Sequence, residues 1–291
     1  MPGEVQQDNR NGVRILTFGG TVGNALMPDL RVALLDALEA AIAADDVHAI
    51  VLTGADGTFS AGVNVMEYAA RPAAPWIDVI CDTIEQSAKP VVAAIDGACL
   101  GAGFALALSS HARVADRHAR IALPDVRLGL IPSGGATQRL PRLVGAQTAL
   151  AIMLAGKPVS ATEPGLKRVW AQLVDGDVVD TAAALATQRA QDSNLRRTRD
   201  EMMGLSDPVA YLKALTAVAS KLEDETTAEA GIVRSTEAAL LLPFDRNCIG
   251  KYYFRGLPTI GGGASGASPD GGRAAHIQST GCRSVSGEGG H

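Results

Sequence analysis

The chain of 291 residues has few aromatic side chains, no paired cysteine motif and no long apolar run. No apolar stretch reaches the roughly 20 residues that a membrane-spanning helix needs, so we expect no membrane span. The four cysteines (Cys81, Cys99, Cys248 and Cys282) form no Cys-x-x-Cys pair, and residues 1–9 lack the basic and then apolar order of a secretion signal. These absences predict reduced thiols in a cytoplasmic protein.

The sequence also lacks the signatures of several ligand classes. The net charge of -5 predicts no binding to nucleic acid. No glycine-rich nucleotide fingerprint is present, so we expect no nicotinamide cofactor. His111, His118 and Asp116 are scattered and share no helix face, so we expect no metal site.

What the chain does contain is an alternation of apolar strands and amphipathic helices through its first half. This order predicts an α/β fold with parallel strand pairing. A largely helical region is expected from 180 to 240. The predicted strands are 13–18, 49–53, 90–95, 112–115 and 120–123, and the predicted helices are 30–44, 76–87, 137–143 and 149–154.

The C-terminal segment differs in composition from the rest. From Gly250 onward it holds 12 of the 32 glycines, together with many serines. Such a segment buries too little apolar surface to offset the conformational entropy lost on ordering. We therefore predict disorder from about residue 257.

Residues 89–105 predict a buried strand, a turn of small residues and the start of a helix. In that turn, Gly101-Ala102-Gly103 lets backbone approach a ligand closely, and the first amides of a helix have no internal partner. Residues 59–64 form a second turn that offers another amide. With the carboxylate of Asp125, these groups predict chemistry next to a carbonyl.

Several segments then match one known family in order and spacing. They are residues 58–62 (Thr-Phe-Ser-Ala-Gly), 89–97 (Lys-Pro-Val-Val-Ala-Ala-Ile-Asp-Gly), 100–103 (Leu-Gly-Ala-Gly), 122–135 and 137–145. On these segments the chain resembles the crotonase (enoyl-CoA hydratase/isomerase) superfamily over about residues 10–246. The resemblance is greatest to the N-terminal module of multifunctional fatty-acid oxidation enzymes.

The resemblance implies a crotonase-like ββα spiral with two sheets and a helical C-terminal region. It implies three parts: an acyl-CoA-binding core at 10–190, the helical region at 191–246, and a Gly/Ser-rich tail outside the family pattern at 247–291. Members of the family commonly assemble as trimers or pairs of trimers, so a homotrimer or hexamer is expected. The expected ligand is an acyl-CoA thioester, with CoA as part of the substrate and no separate cofactor.

The resemblance also implies roles for individual residues. The backbone amides of Val63 and Ala102 form an oxyanion hole for a thioester enolate, and Asp125 is the catalytic acid or base. Substrate contacts are expected from the residues around these positions: Ala61, Gly62, Asn64, Gly101, Gly103, Pro132, Ser133 and Gly134. Lys89 and Arg14 are possible contacts for the CoA phosphates. Glu67 is interpreted as a solvated surface residue.

Both acid positions of the family pattern are changed in this chain. Hydratases of the family carry two acids, and Ala105 occupies the place of the first, while Asp125 stands where the second is a glutamate. Hydration needs one carboxylate to activate water and another to deliver a proton, whereas a 1,3-proton shift needs a single base. Ala105 therefore favours an isomerase, and burial beside Leu123 and Leu130 is expected to raise the pKa of Asp125.

Four alternatives stay open. The first is that Asp125 is not catalytic but is a helix cap or an ion-pair partner of Arg127 or Arg139. The second is that the reaction is a thioester hydrolysis or a decarboxylation. The third is that the chain is a CoA-binding subunit that has lost an acid. The fourth is that it is a truncated or frame-shifted descendant of a multifunctional enzyme, because the resemblance of this chain to such enzymes stops after Arg246.

Overall fold

The computed structural model describes residues 2–68, 73–192, 195–224 and 226–244. The strands are β1 (Glu4–Arg10), β2 (Val13–Gly19), β3 (Ala49–Gly54), β4 (Val91–Ile95), β5 (Ala98–Leu100), β6 (Ala112–Asp116), β7 (Arg120–Ala122), β8 (Val159–Ser160) and β9 (Gln172–Val174). The helices are α1 (Pro28–Ala43), α2 (Ile77–Gln86), α3 (Ala102–Ser109), α4 (Ala136–Ala155), α5 (Val178–Arg189), α6 (Pro208–Ala219) and α7 (Ala228–Leu241). The tail predicted at 247–291 lies outside the described residues.

The strands form two sheets. The larger has six strands in the order β1-β2-β3-β4-β6-β9, and the smaller has three in the order β5-β7-β8. In the larger sheet β1 runs antiparallel to β2, while every other pair is parallel. The mixture of helices with a largely parallel sheet confirms the predicted α/β class.

Both faces of the larger sheet are covered by helices. Ile50 and Leu52 of β3 pack into the main core with α1 and α2, while Val51 packs on the opposite face against α5. Successive side chains of a strand point to opposite faces, so a strand buried on both sides is apolar throughout. This is why the short apolar runs of the sequence predicted strands correctly.

The structure differs from the predicted elements in several places, and the short strands β5, β8 and β9 were not predicted. β1 has the polar sequence Glu-Val-Gln-Gln-Asp-Asn-Arg, which carries no strand pattern, and it is held by pairing along the whole length of β2. The helices predicted at 137–143 and 149–154 belong to α4, which contains Gly145 at φ 81°. The region predicted as helical from 180 to 240 holds α5, α6 and α7, with described non-helical stretches between them.

Buried polar bonds join α6 to α7 and α7 to α4. The Tyr211 hydroxyl of α6 donates to the Thr236 carbonyl of α7 at 2.6 Å, and the Ser235 hydroxyl of α7 donates to the Thr137 hydroxyl of α4 at 2.8 Å. Both α6 and α7 lie within the range 191–246 that the sequence assigned to a helical region. The boundaries at 190 and 246 stay predictions.

Within the described ranges, no helix is both long enough and apolar enough to cross a membrane. The same part of the chain holds no group of three histidine, cysteine or carboxylate side chains arranged to hold a metal ion. Cys81 and Cys99 are buried free thiols.

Candidate active site

The two glycine-rich turns lie directly against each other. The Ser60 amide donates to the Ala98 carbonyl at 2.9 Å, and the Leu100 amide donates to the Ser60 carbonyl at 2.8 Å, so the first turn pairs with β5. A Cβ atom placed on Gly62 would lie 3.3 Å from the Ala102 nitrogen. The structure therefore brings together the two segments that the sequence predicted to supply amides.

Glycine is required in both turns. Gly62 has φ +89° and Gly101 has φ +52°, values that residues with a side chain rarely adopt. Gly101 is the residue before α3, so Ala102 supplies the first amide of that helix. Among the described residues, neither the Val63 amide nor the Ala102 amide has a hydrogen-bond acceptor. Two backbone donors without a protein acceptor therefore belong to the two turns that lie against each other.

Asp125 lies in a short 3₁₀ helix, Pro124–Leu128, that begins against the second turn. The Pro124 Cδ atom would be 3.8 Å from a Cβ placed on Gly101. The Asp125 side chain is buried, and its Oδ2 atom has no partner within the described residues. Burial raises the pKa of Asp125 to about 6, while the backbone amide of Asp125 itself opposes the shift. The predicted effect of burial on this pKa is confirmed.

The ion-pair alternative for Asp125 receives no support from the described residues. No cation in the described part of the chain forms an ion pair with it, and Arg139 instead binds Glu85, with 2.7 Å between Nη2 and Oε2. A buried carboxylate oxygen without a donor destabilises the fold, and such groups are concentrated at functional sites.

The raised pKa of Asp125 predicts a pH-dependent gain in stability for Asp125→Asn. The folded-state value of about 6 exceeds the unfolded value of 3.8. The folded protein therefore loses stability as pH rises through this window, because the buried carboxyl must then ionise. Asparagine does not titrate, so the difference in unfolding free energy, variant minus wild type, should rise by about 1 kcal/mol between pH 5 and pH 8. Urea titrations at both pH values measure it, and parallel pH dependences would contradict a raised pKa.

Ala105 of α3 is completely buried, and it is closed in by the segment before α4. A Cβ placed on Gly134 would lie 2.7 Å from the Ala105 Cβ and 3.2 Å from the Cys81 sulfur. The Gly134 backbone thus rests on the Ala105 methyl group. A longer side chain at position 105 would have to displace this backbone.

A fully buried ion pair holds that backbone in place. The Arg139 guanidinium donates to both oxygens of Glu85, at 3.1 and 2.7 Å, and to the Gly134 carbonyl at 2.6 Å. The Arg199 amide donates to Glu85 at 2.9 Å, and the Arg139 guanidinium lies 4.8 Å from the centre of the Phe244 ring. Sequence reasoning missed Glu85, because its partners are far away along the chain.

The interpretation of Glu67 as a solvated surface residue is wrong. Its carboxylate forms two hydrogen bonds with the Arg31 guanidinium, at 3.1 and 2.9 Å. Arg31 is itself buried and also donates to the Leu26 and Pro75 carbonyls. The pair ties the segment after the first turn to α1.

Sequence reasoning also missed two residues that shape the first turn. Ser60 is completely buried, and its hydroxyl accepts from the Gly62 amide at 3.0 Å. Asn24 is buried with φ 51°, and its side-chain amide donates to the Ala55 and Thr58 carbonyls. An asparagine after a glycine, as in Gly23-Asn24, is a weak signal for such a left-handed position.

The other predicted contacts fall around the same turns. Ala61 is exposed and Ser133 is half-buried, while the Asn64 Oδ1 atom accepts from the Met66 amide at 3.0 Å. The buried members of the predicted set are Gly62, Gly101, Ala102, Gly103, Pro132 and Gly134. The contacts of all these residues with a substrate stay predictions.

The two basic residues suggested for CoA phosphates have structural partners. The Lys89 ammonium group donates to the Ala41 carbonyl at 3.1 Å and to the Ala44 carbonyl, at the C-terminal end of α1. Arg14 lies on β2 and donates to the Gln7 side chain of β1 at 3.0 Å. Both side chains thus bind other parts of the protein, and these bonds do not support a role for either residue in binding CoA phosphates.

Comparison with known proteins places this geometry in a family. The enoyl-CoA hydratase/isomerase family profile matches residues 8–237. A glyoxysomal fatty acid beta-oxidation multifunctional protein of Cucumis sativus is 36% identical over 232 residues, which are 75% of this chain and 32% of that protein. The peroxisomal bifunctional enzyme of Homo sapiens is 31% identical over 243 residues, 81% of this chain and 33% of that enzyme. The chain thus spans about a third of the length of these relatives.

A solved structure agrees. A carnitinyl-CoA dehydratase from Mycobacterium avium is 28% identical, with a TM-score of 0.60 over 77% of this chain and 94% of that chain.

The predicted cytoplasmic location is wrong in the light of these relatives. The proteins from Cucumis sativus and Homo sapiens are named glyoxysomal and peroxisomal, and those from Danio rerio and Arabidopsis thaliana are named peroxisomal as well. The error has a simple cause. Composition and unpaired cysteines do not distinguish one reducing compartment from another, and an address that a receptor reads leaves no mark on the fold.

The family profile covers most of the chain, including both turns, Ala105 and Asp125. The six-stranded and three-stranded sheets are consistent with the two sheets implied by the crotonase resemblance. The chain belongs to the enoyl-CoA hydratase/isomerase family.

Proposed function

We propose that this chain acts on acyl-CoA thioesters of fatty-acid β-oxidation and shifts the double bond of a 3-enoyl-CoA to the 2-position. One observation carries the proposal. Asp125 is a buried carboxylate whose Oδ2 atom has no partner within the described residues, its neighbour Pro124 lies against the Gly101 turn, and Ala105 stands where hydration would require a second acid. The names of the multifunctional relatives support the substrate class.

The proposed reaction is a proton transfer through a stabilised enolate. The thioester oxygen accepts hydrogen bonds from the Val63 and Ala102 amides, and Asp125 removes a proton from C2. The electron pair moves through the former C3–C4 double bond, and the same carboxyl returns the proton to C4. Each such amide contributes a few kcal/mol in the transition state, because it stabilises charge that develops only there.

The surroundings of Ala105 argue against hydration. A methyl group transfers no proton, and the Gly134 backbone, which Arg139 holds, lies directly on it. Hydration would require a second proton-transferring group near the bound double bond. We therefore propose an isomerase with one carboxylate rather than a hydratase with two.

The substrate contacts and the assembly rest on the family resemblance. Ala61, Gly62, Asn64, Gly101, Gly103, Pro132, Ser133 and Gly134 are proposed to line the thioester site, and a homotrimer or hexamer is proposed as the assembly. CoA enters as part of the substrate.

The proposal is tested by supplying the purified chain with 3-enoyl-CoA and, separately, with 2-enoyl-CoA. We expect the 3-enoyl substrate to become the 2-enoyl isomer, and water addition to the 2-enoyl substrate to be at least about 100-fold slower, because no second acid is available. Formation of 3-hydroxyacyl-CoA at a comparable rate would contradict the proposal. Free CoA as the main product would instead indicate thioester hydrolysis.

The pH dependence of kcat should follow the ionisation of Asp125. Only the ionised carboxylate accepts a proton, so kcat should fall tenfold per pH unit below about 6 and be level above it. Measuring kcat at saturating substrate matters, because the second ionisation of a phosphate group has a pKa of about 6 and affects binding. A flat kcat profile between pH 5 and pH 8 would exclude Asp125 as the base.

A further inference from the structure

The Ser60 side chain occupies the junction between the two turns. Its hydroxyl donates to the Asn24 carbonyl at 2.8 Å and accepts from the Gly62 amide at 3.0 Å. A Cβ placed on Gly103 would lie 2.6 Å from the Ser60 Cβ and 3.1 Å from its hydroxyl oxygen. Ser60 is therefore bonded within the first turn and packed tightly against the second.

The Val63 amide is oriented by bonds that its neighbours make. In a trans peptide the carbonyl and the N–H point in opposite directions. The Leu26 amide donates to the Gly62 carbonyl at 2.8 Å on one side, so the Val63 N–H points to the other side. The preceding peptide plane is held by the bond from the Gly62 amide to the Ser60 hydroxyl. Gly62 is flexible at φ +89°, so these bonds determine the direction of the donor.

The segment before α1 anchors this arrangement. The Gly23 carbonyl accepts from the Ala61 amide at 2.8 Å, and the Asn24 side chain donates to the Ala55 carbonyl at 2.8 Å. Residues 23–26 thus bind the first turn through both backbone and side chain. The Ser60 side chain connects this segment to the turn and also packs against Gly103.

We infer that Ser60 is a positioning residue for the oxyanion hole, which orients the Val63 amide and sets its spacing from the Ala102 amide. The inference rests on the proposed function, because it assumes that a thioester oxygen binds these two donors. Ser60 itself does not touch the reacting atoms.

The test compares Ser60→Ala with Ser109→Ala. Ser109 is an equally buried serine, and its hydroxyl donates to the Leu106 carbonyl within α3, away from the two turns. For Ser60→Ala we expect kcat for isomerisation to fall about 30-fold with KM changed less than about threefold, since a misdirected donor affects the transition state more than the bound substrate. Ser109→Ala should retain wild-type kcat. Ser60→Cys, which retains a weak donor, should recover part of the loss.

A second readout reports the oxyanion hole without turnover. The infrared carbonyl band of bound butanoyl-CoA, a saturated thioester, should lie at lower frequency than in the free compound. Ser60→Ala should lose at least half of this shift and Ser109→Ala none. The role of Ser60 would be overturned if the wild-type protein isomerises the substrate and Ser60→Ala keeps both the full band shift and the wild-type kcat. If Ser60→Ala loses the band shift but the wild-type protein does not isomerise 3-enoyl-CoA, the positioning role of Ser60 would be supported and the proposed isomerase function would be wrong.

Discussion

Asp125→Asn should lower kcat for conversion of 3-enoyl-CoA to 2-enoyl-CoA by about 1,000-fold or more, with little change in KM. A positioned base contributes about 10²- to 10⁴-fold to such a step, and Asp125 directly follows Pro124, which lies against the second turn. Asparagine keeps the size of the side chain and accepts no proton. The oxyanion amides remain, so binding of the thioester should persist.

A matched control separates this effect from the general loss of a carboxylate. Asp116, at the end of β6, uses its side chain to accept from the His118 amide at 2.6 Å, away from the two turns. Asp116→Asn should therefore retain kcat. Wild-type turnover in Asp125→Asn would remove Asp125 from the mechanism and require another group as the base.

Glu85→Gln should destabilise the fold by about 3–5 kcal/mol, the usual effect of removing one partner of a buried ion pair. The pair is completely enclosed, with Glu85 and Arg139 exposing 0% and 1% of their side chains. Without the carboxylate, the Arg139 guanidinium stays buried beside Arg199 with no counter-charge from Glu85. Chemical unfolding measures the loss, and a loss below about 1 kcal/mol would contradict a central role of this pair.

The same substitution should also impair turnover. Arg139 holds the Gly134 carbonyl, which lies beside Ala105, so a shifted guanidinium moves the wall of the proposed acyl site. A suitable control is Asp180→Asn, which removes one of the two carboxylate partners of Arg10, in a pair whose side chains are 49% and 68% exposed. Solvent screens such pairs, so neither stability nor turnover should change noticeably.

Local patterns predicted the parts of this molecule that are encoded locally. Apolar runs predicted β2, β3 and β4, and glycines with positive φ explain why the two turns are recognisable in the sequence. The burial of Asp125 followed from the apolar residues around it. Where a short segment determines its own burial and backbone conformation, the sequence was sufficient to predict the local structure.

Long-range polar contacts were not predictable in this way. Glu85 and Arg139 are 54 positions apart, and Asn24 and Ser60 are 36 apart. No periodicity of the sequence indicates that such residues will meet. Taken alone, each is a polar or charged residue of the kind usually found at the surface. β1 was missed for a related reason, because pairing with β2 rather than its own pattern holds it in the sheet.

The most direct test of the single-carboxylate account follows a labelled proton. A 3-enoyl-CoA dideuterated at C2 is incubated with the purified chain, and the deuterium content at C4 of the 2-enoyl product is measured. Asp125 is only 7% exposed, so we expect its carboxyl to exchange little with solvent during a turnover, and a substantial part of the label should move from C2 to C4. Complete loss of the label to water, with 3-hydroxyacyl-CoA as the main product, would contradict it.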